Sequence, residues 1–306
     1  MGRASAALAG AACAMGEAHA LDRAEHPPPG MHIGVGSHRL HIHCMGAGSP
    51  AVIFDSGLGG NSLEWVKVQP AVSRFTRACT YDRSGYGWSD PGPFPRVSSR
   101  SAEELSRLLV YASEPGPYVL VGHSIGGFNI RHFAHDHPSR TAGLVLVDAA
   151  NEYQFERFEQ AGIRVPIAPT GAAFVIANHW QLPEGLPAEL RDTAQALVLR
   201  SSAIRSLYSE LHFIRDSAVQ VQTLAAPPVR PAAVIARGDP PGGSKPRALK
   251  MAGLWRAMQR ELADGLPGSH FITVPGSGHH VHLDRPEVVI EAVRLVVDES
   301  RQRTVN

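Results

Sequence analysis

The sequence predicts an α/β fold in which helices cover both faces of a mostly parallel sheet. From residue 31 onward, short apolar runs typical of buried strands alternate with amphipathic helical segments. A serine fenced by glycines stands where one run meets a helix, in "YVLVGHSIGG" (residues 118–127). A histidine-rich segment, "SGHHVHLDRPEVV" (residues 277–289), follows the last run. These three observations predict a reaction centre at one edge of the sheet.

The strands are predicted from the apolar runs. "MHIGVG" and "HRLHIHCMG" alternate apolar and polar residues around Gly36-Ser37, as in an antiparallel hairpin. The later runs, in chain order, are "AVIFDSG", "RACTYDR", "YVLVGHS", "GLVLVDA", "AAVIARG" and "HFITVPG". Helices separate most of them, which predicts parallel pairing through crossover connections.

Helix boundaries are predicted from capping signals. Ser101 and Glu104 form a capping box at the start of a helix with leucines on one face. Another helix follows the serine motif, and a third lies around Trp255. The last helix is predicted to begin at Asp284, with Pro286 in its first turn.

The chain divides into a leader, a core and an insertion. Residues 1–30 form the leader, and residues 31–150 together with 227–306 form the α/β core. Residues 151–226 contain aromatic and helical patches without a convincing strand. We therefore predict that this segment is a helical insertion lying over the sheet.

Composition excludes several classes of function. The 306 residues are 43% hydrophobic and 19% charged, as in an ordinary globular protein. The net charge of +1 is scattered, which argues against binding to nucleic acid or an anionic membrane surface. The sequence contains no run of 18 apolar residues, so no membrane-spanning helix is predicted. Nothing in the composition indicates an oligomeric state.

The leader leaves the compartment open. Arg3, a weakly apolar alanine-rich stretch and Ala18-His19-Ala20 make up a weak export signal within residues 1–20. A cleaved signal and a disordered leader are both compatible with it, so the protein is either cytoplasmic or exported. Cleavage would leave Cys44 and Cys79, either as one disulfide or as two buried thiols.

Ser124 is the predicted nucleophile. Gly122-His123-Ser124-Ile125-Gly126 fits G-x-S-x-G between a strand and a helix, the context of a nucleophile elbow. The glycines leave room for the neighbouring elements. The backbone N–H of Ile125 begins the helix and is predicted to stabilise an oxyanion.

A serine hydroxyl needs a base, and His279 is the candidate. It follows the last strand, at the same sheet edge as the elbow. His280 and His282 are competitors, and His123 is expected to pack or to support neighbouring residues rather than to act as the base. No cysteine or carboxylate cluster accompanies the histidines, so no metal site and no cofactor are predicted.

Two carboxylates could orient the base. Asp148 closes "GLVLVDA" and Asp239 follows "VIARG", and either keeps the order Ser…Asp…His. For the second oxyanion donor, "FDSGLGGNS" brings the Leu58 N–H near the elbow, with Gly57 expected to lie beside the substrate.

The residues from Met31 onward resemble the α/β-hydrolase superfamily. "YDRSGYGWSD" (residues 81–90) is similar to the D-R-x-G-x-G-x-S segment of its lidded members, "GHSIGG" to the elbow, and "SGHHVHLDRPEVV" to the histidine loop. The resemblance implies an eight-stranded sheet and a lid inserted after strand six. It also implies that the strands of Cys44 and Cys79 are neighbours, which permits a disulfide.

The resemblance also bears on the chemistry. In the branch that includes haloalkane dehalogenases and zearalenone-type lactonases the acid follows strand six, which favours Asp148 over Asp239. Dehalogenases and epoxide hydrolases carry an aspartate nucleophile, whereas Ser124 implies acyl transfer to water.

The expected substrate is a small hydrophobic ester or lactone, with an amide or a C–C bond as variants. Trp180 in the insertion is expected to contact it. Two alternatives are a ligand-binding receptor module and cofactor-free oxygen or perhydrolase chemistry on the same fold.

Overall fold

One sheet of eight strands forms the centre of the computed structural model, which describes residues 25–163, 182–225, 231–238, 245–266 and 268–305. The strands are β1 (Met31–Gly34), β2 (Arg39–Met45), β3 (Ala51–Asp55), β4 (Ala78–Tyr81), β5 (Tyr118–His123), β6 (Thr141–Val147), β7 (Ala232–Arg237) and β8 (His270–Val274). They lie in the order β1-β2-β4-β3-β5-β6-β7-β8. The β1–β2 and β2–β4 pairs are antiparallel and the other pairs are parallel. The predicted mostly parallel sheet is therefore confirmed.

Helices flank this sheet. Those of the described residues are α1 (Gln69–Val72), α2 (Ser98–Tyr111), α3 (Gly126–Asp136), α4 (Gln154–Gln160), α5 (Arg191–Val198), α6 (Ser201–His212), α7 (Ile214–Gln222), α8 (Pro246–Asp264), α9 (Val281–Asp284) and α10 (Pro286–Val305). Of these, α4 to α7 lie between β6 and β7 in sequence. No helix in the described ranges combines the length and apolar character needed to cross a membrane.

Both faces of the sheet are buried, which explains the continuous apolar strands. Leu120 of β5 packs in one core cluster with Phe133 of α3. Its neighbours Val119 and Val121 point to the opposite cluster, which contains Val293 of α10. A strand alternates its side chains between faces, so a strand covered on both sides must be apolar throughout. Full burial of each such side chain contributes about 1.5–3 kcal/mol.

The predicted capping box is wrong. The first residue of α2 is Ser98, so Ser101 lies inside the helix, where it is buried. The Glu104 carboxylate does not cap the helix, because it binds the buried Arg96 guanidinium at 2.6 and 2.8 Å and accepts from the Ser84 hydroxyl at 2.7 Å. A buried bidentate ion pair is a stronger partner for a carboxylate than a backbone N–H.

The predicted start of the last helix is also wrong. Asp284 ends the separate short helix α9, and α10 begins at Pro286. Arg285 between them has φ −137° and ψ 60°, outside the helical region. The residue before a proline is disfavoured in the helical region, which accounts for the break. The Asp284 carboxylate instead accepts from the Gly278 N–H at 2.7 Å and ties down the histidine loop.

Cys44 and Cys79 are joined by a disulfide. They are directly opposite each other in the antiparallel β2–β4 pair. The strand adjacency that the resemblance implies is therefore present.

Candidate active site

Ser124 lies immediately after β5 with φ 52°, a left-handed conformation that is strained for serine. A Cβ on Gly122 would lie 2.7 Å from the carbonyl carbon and oxygen of Gly126. A Cβ on Gly126 would lie 2.5 Å from the carbonyl oxygen of Asp55. The turn is therefore packed against backbone on both sides, and only glycine fits at these two positions.

Leu58 lines the same cavity as Ser124, and Ile125 directly follows Ser124 in the chain. Within the described ranges neither backbone N–H donates a hydrogen bond to another residue. Ile125 immediately precedes α3, so the positive end of that helix lies behind its N–H. A Cβ on Gly57 would lie 3.4 Å from Cβ of Ser124, so the loop that carries Leu58 runs against the elbow. Two free donors beside a serine hydroxyl can bind an oxyanion.

His279 and Asp148 are in contact, 131 residues apart in sequence. Nδ1 of His279 lies 2.5 Å from Oδ2 of Asp148. Asp148 follows β6 with φ 41° and is completely buried, whereas about a third of the His279 side chain is exposed. Because Nδ1 faces the carboxylate, Nε2 is the ring nitrogen left to exchange a proton with a hydroxyl.

Two residues that the sequence did not single out for chemistry also bind Asp148. The Arg237 guanidinium donates to Oδ2 at 3.0 Å, and the Arg237 backbone N–H donates to Oδ1 at 3.1 Å. The Trp255 indole N–H donates to Oδ1 at 2.7 Å. Arg237 ends β7 and Trp255 lies in α8, so only the crossing of distant elements brings them to the carboxylate.

These contacts determine the ionisation of Asp148. Burial by itself would raise the pKa of Asp148. The hydrogen bond and charge of His279, together with the charge and N–H of Arg237, outweigh burial and hold that pKa below its ordinary value. The carboxylate is therefore ionised at neutral pH. The Arg237 guanidinium also lies 3.2 Å from Nδ1 of His279, but a guanidinium cannot accept a hydrogen bond, so the Nδ1 proton is directed to the carboxylate.

The two neighbouring histidines are placed differently from His279. Burial lowers the pKa of His280 to about 4, so its imidazole is neutral at neutral pH. His282 is completely buried, and neither of its ring nitrogens has a hydrogen-bond partner among the described residues. His123, expected to pack or to support its neighbours, donates from Nε2 to the His279 carbonyl at 2.9 Å and so positions the His279 backbone.

A cavity of about 320 Å³ opens over Ser124 and His279. It is lined by the loop of residues 57–61, by Leu63, Glu64, His123 and His280, and by an apolar wall of Leu182, Pro183, Leu186, Ala194 and Val198. The apolar wall comes from the segment between β6 and β7. Trp180 and the alternative acid Asp239 lie outside the described residues.

Arg83, in the segment after β4, connects the cavity loop to the helices above it. Its guanidinium donates to the carbonyl oxygens of Ser56 and Gly57 at 2.7 and 2.8 Å and pairs with Asp55 at 2.8 Å. It also pairs with Glu210 of α6 at 2.9 Å. The sequence identifies this arginine through a motif, but the loop that it holds becomes apparent only in the fold.

Comparison with known proteins agrees with the fold. A family model described as the alpha/beta hydrolase family matches residues 52–292. The chain is 28% identical over 295 residues to a protein named probable transporter efuK from Hormonema carpetanum. That alignment covers 87% of this chain and only 42% of the relative, so the chain spans less than half of the relative's length. It is also 24% identical over 283 residues to an AB hydrolase superfamily protein of Gibberella zeae, covering 81% of this chain and 86% of that one.

Solved structures share the fold. An enol-lactonase from Burkholderia xenovorans superposes with a TM-score of 0.65 at 20% identity, over 88% of this chain and 100% of that one. A thermophilic esterase from Thermogutta terrifontis gives the same score and identity, over 88% and 98% of the two chains. The family model spans most of the sequence, and the sheet order and the elbow agree with it. The chain therefore belongs to the alpha/beta hydrolase family.

Proposed function

We propose that this protein is a serine hydrolase in which Ser124, His279 and Asp148 form the catalytic triad. The observation that carries the proposal is the 2.5 Å contact between His279 Nδ1 and the buried carboxylate of Asp148, beside a strained serine in the same cavity. A carboxylate bound to Nδ1 holds the imidazole in the tautomer whose Nε2 accepts a proton. The acyl-transfer mechanism requires that tautomer.

The proposed reaction proceeds through an acyl-enzyme. Ser124 Oγ attacks the carbonyl carbon of the substrate as Nε2 of His279 takes the hydroxyl proton. The carbonyl oxygen becomes an oxyanion and accepts hydrogen bonds from the N–H groups of Leu58 and Ile125. The imidazolium then protonates the departing alkoxide. In the second half, water replaces the alcohol, His279 takes its proton, and the acid is released as Ser124 regains its hydrogen.

We infer that the substrate is a small ester or lactone with an apolar body. The cavity of about 320 Å³ suits a compact molecule, and its outer wall is made of aliphatic side chains. The solved structures named as an enol-lactonase and an esterase share the fold and support the same class of bond. The helices between β6 and β7 are proposed to act as the lid, because their side chains supply that wall.

The proposal is tested with a fluorophosphonate probe and with p-nitrophenyl acetate. We expect the probe to add one phosphonyl group to Ser124, detected by intact mass and peptide mapping. We also expect hydrolysis of the ester that Ser124→Ala abolishes. The Ser106→Ala variant is a matched control, because Ser106 lies on α2 and accepts from Arg140 far from the cavity. Ligand binding without an adduct or turnover would indicate a receptor module instead.

Once turnover is found, a panel of acyl chain lengths, lactones and amides defines the substrate. We expect short esters and small lactones to give the highest kcat/KM values, because a longer acyl chain exceeds the cavity. Perhydrolase chemistry would be revealed by oxidation of a halide when hydrogen peroxide and a carboxylic acid are supplied.

A further inference from the structure

A second cluster of chemically active side chains lies beneath the cavity floor. It consists of Glu64, His123 and His282, and we call it the Glu-His-His cluster. One ligating atom from each of the three lies within 4.8 Å of the others. The sequence does not reveal this cluster, because Glu64 precedes His282 by more than 200 residues. The fold brings them together where the 3-10 turn of residues 62–65 packs against α9.

The polar atoms of this cluster lack partners. Glu64 Oε2, His123 Nδ1 and both ring nitrogens of His282 are buried without a hydrogen bond among the described residues. Buried polar atoms in folded proteins are nearly always paired. One unpaired atom from each of the three side chains, with a single nitrogen of His282 taking part, can therefore share one partner. His282 Nε2 lies 3.9 Å from Glu64 Oε2, too far for a direct hydrogen bond.

We propose that the Glu-His-His cluster binds one divalent transition-metal ion of the zinc type. Two imidazole nitrogens and one carboxylate oxygen are a ligand set suited to Zn²⁺, with a fourth position left for water. Bonds of about 2.0–2.2 Å place tetrahedral ligand atoms about 3.4 Å apart. The separation of Glu64 from His282 therefore needs a shift of about half an ångström.

The tautomer of His123 fits this role. Its Nε2 faces the His279 carbonyl at 2.9 Å and must carry the proton, because a carbonyl only accepts. The lone pair is therefore on Nδ1, within the cluster. Metal-binding histidines usually donate their other N–H to a carbonyl or carboxylate, which fixes the ring.

The ion would reach the cluster through the substrate cavity. Glu64 and His123 line that cavity, whereas His282 does not line it and packs against Trp65, with 4.5 Å between the ring centroids and the rings tilted by 31°. The fourth ligand position then points to the cavity side, since protein fills the opposite side. This placement makes the site distinct from the Ser124 hydroxyl, which is not one of its ligands.

In the test, bound metal is first removed from the full-length protein with EDTA and dialysis. Zn²⁺ is then titrated into the protein and its binding is measured by isothermal titration calorimetry. We expect one ion per chain, and a higher thermal unfolding midpoint with Zn²⁺ present. Co²⁺ added to the same protein should develop the visible absorption of a nitrogen- and oxygen-ligated ion. Mg²⁺ should not bind, because it prefers oxygen ligands.

Glu64→Gln and His282→Gln should each weaken Zn²⁺ binding by more than about 100-fold, since loss of a ligand costs more than loss of an outer-shell partner. Matched controls are His270→Gln, which removes a surface histidine paired with Glu299 at 2.8 Å, and Ser124→Ala. Both should bind Zn²⁺ as the parent does, which separates this proposal from the proposed hydrolysis.

Several outcomes would overturn the metal site. One is that the parent does not bind Zn²⁺, and another is that Glu64→Gln and His282→Gln bind it as well as the parent does. A third is that only His280→Gln loses Zn²⁺ binding, because that result would place the ion at the cavity rim. Unchanged circular dichroism and cooperative unfolding in EDTA would establish that the two cluster variants are folded. A high-resolution crystal grown with Zn²⁺ that contains only waters among the three side chains would also contradict it.

Discussion

The indole N–H of Trp255 donates to Oδ1 of Asp148 at 2.7 Å, across 107 residues of sequence. The ring of Trp255 also stacks on Phe158 and has the Arg237 guanidinium 4.9 Å from its centroid. One side chain therefore joins the strand-six carboxylate to α8 and to the helix that follows β6. It holds the carboxylate in position for His279.

Trp255→Phe should weaken both stability and turnover. It keeps the stacked ring but removes a hydrogen bond to a buried ionised group, which contributes about 1.5–3 kcal/mol. We expect the free energy of unfolding in urea to fall by that amount. We also expect kcat to fall while KM stays near the parent value, because the substrate wall is untouched. Parent-like kcat would mean that the indole has no part in positioning Asp148.

Asp148→Asn should lower kcat by roughly 10⁴-fold, because an amide cannot hold His279 in the required tautomer. Asp239→Asn should leave kcat near that of the parent. Both rates are measured on the ester found to turn over, with burst kinetics to separate acylation from deacylation. If Asp239→Asn gives the large loss and Asp148→Asn does not, the acid is Asp239.

Gly122→Ala should damage the elbow, because its Cβ would approach Gly126 backbone atoms to 2.7 Å. Overpacking of this kind costs about 1–3 kcal/mol, and relief by movement of the turn would also displace Ser124. Gly253→Ala in α8 is the matched control, since nothing lies within 4 Å of its added Cβ. We expect that variant to gain about 1 kcal/mol in urea unfolding. A Gly122→Ala protein with full stability and activity would contradict the steric argument.

Asp82→Asn should destabilise the core around β4. The fully buried carboxylate accepts from His41 Nδ1 at 2.8 Å and from the backbone N–H groups of Ser62 and Trp88 at 2.7 and 2.9 Å. A hydrogen bond to a buried charged group contributes about 1.5–3 kcal/mol, so loss of the charge should cost at least that much. The exposed pair of Asp298 with Arg301 is the control, and Asp298→Asn should change stability by less than about 1 kcal/mol.

Asp82→Asn should also change how the stability of the protein depends on pH. Burial would raise the pKa of Asp82, but the charge and hydrogen bond of His41 and the two N–H donors hold it below its ordinary value. A carboxyl whose pKa is lower in the folded state stabilises the fold at pH values above its unfolded-state pKa of about 3.9. That stabilisation is lost as the pH falls through the folded-state pKa. The stability difference between parent and Asp82→Asn should therefore be constant from neutral pH to about pH 5 and shrink below about pH 4. A difference that is unchanged at pH 3 would contradict this assignment.

Local patterns predicted the sheet but not the helix ends. The strand around Leu120 is recognisable because burial on both faces demands an unbroken apolar run. The capping box at Ser101 failed because Arg96 competes for the Glu104 carboxylate, and sequence spacing carries no information about that competitor.

The sequence by itself determined the α/β fold, the position of the elbow at Ser124 and the histidine loop after the last strand. These follow from short-range physics, namely apolar periodicity and the steric need for glycine around a tight turn. The tertiary structure alone decided which side chains surround the Asp148 carboxylate and that Glu64 lies close to His123 and His282. Those contacts join elements that are far apart in sequence, and their geometry depends on strand order and helix packing rather than on any local pattern.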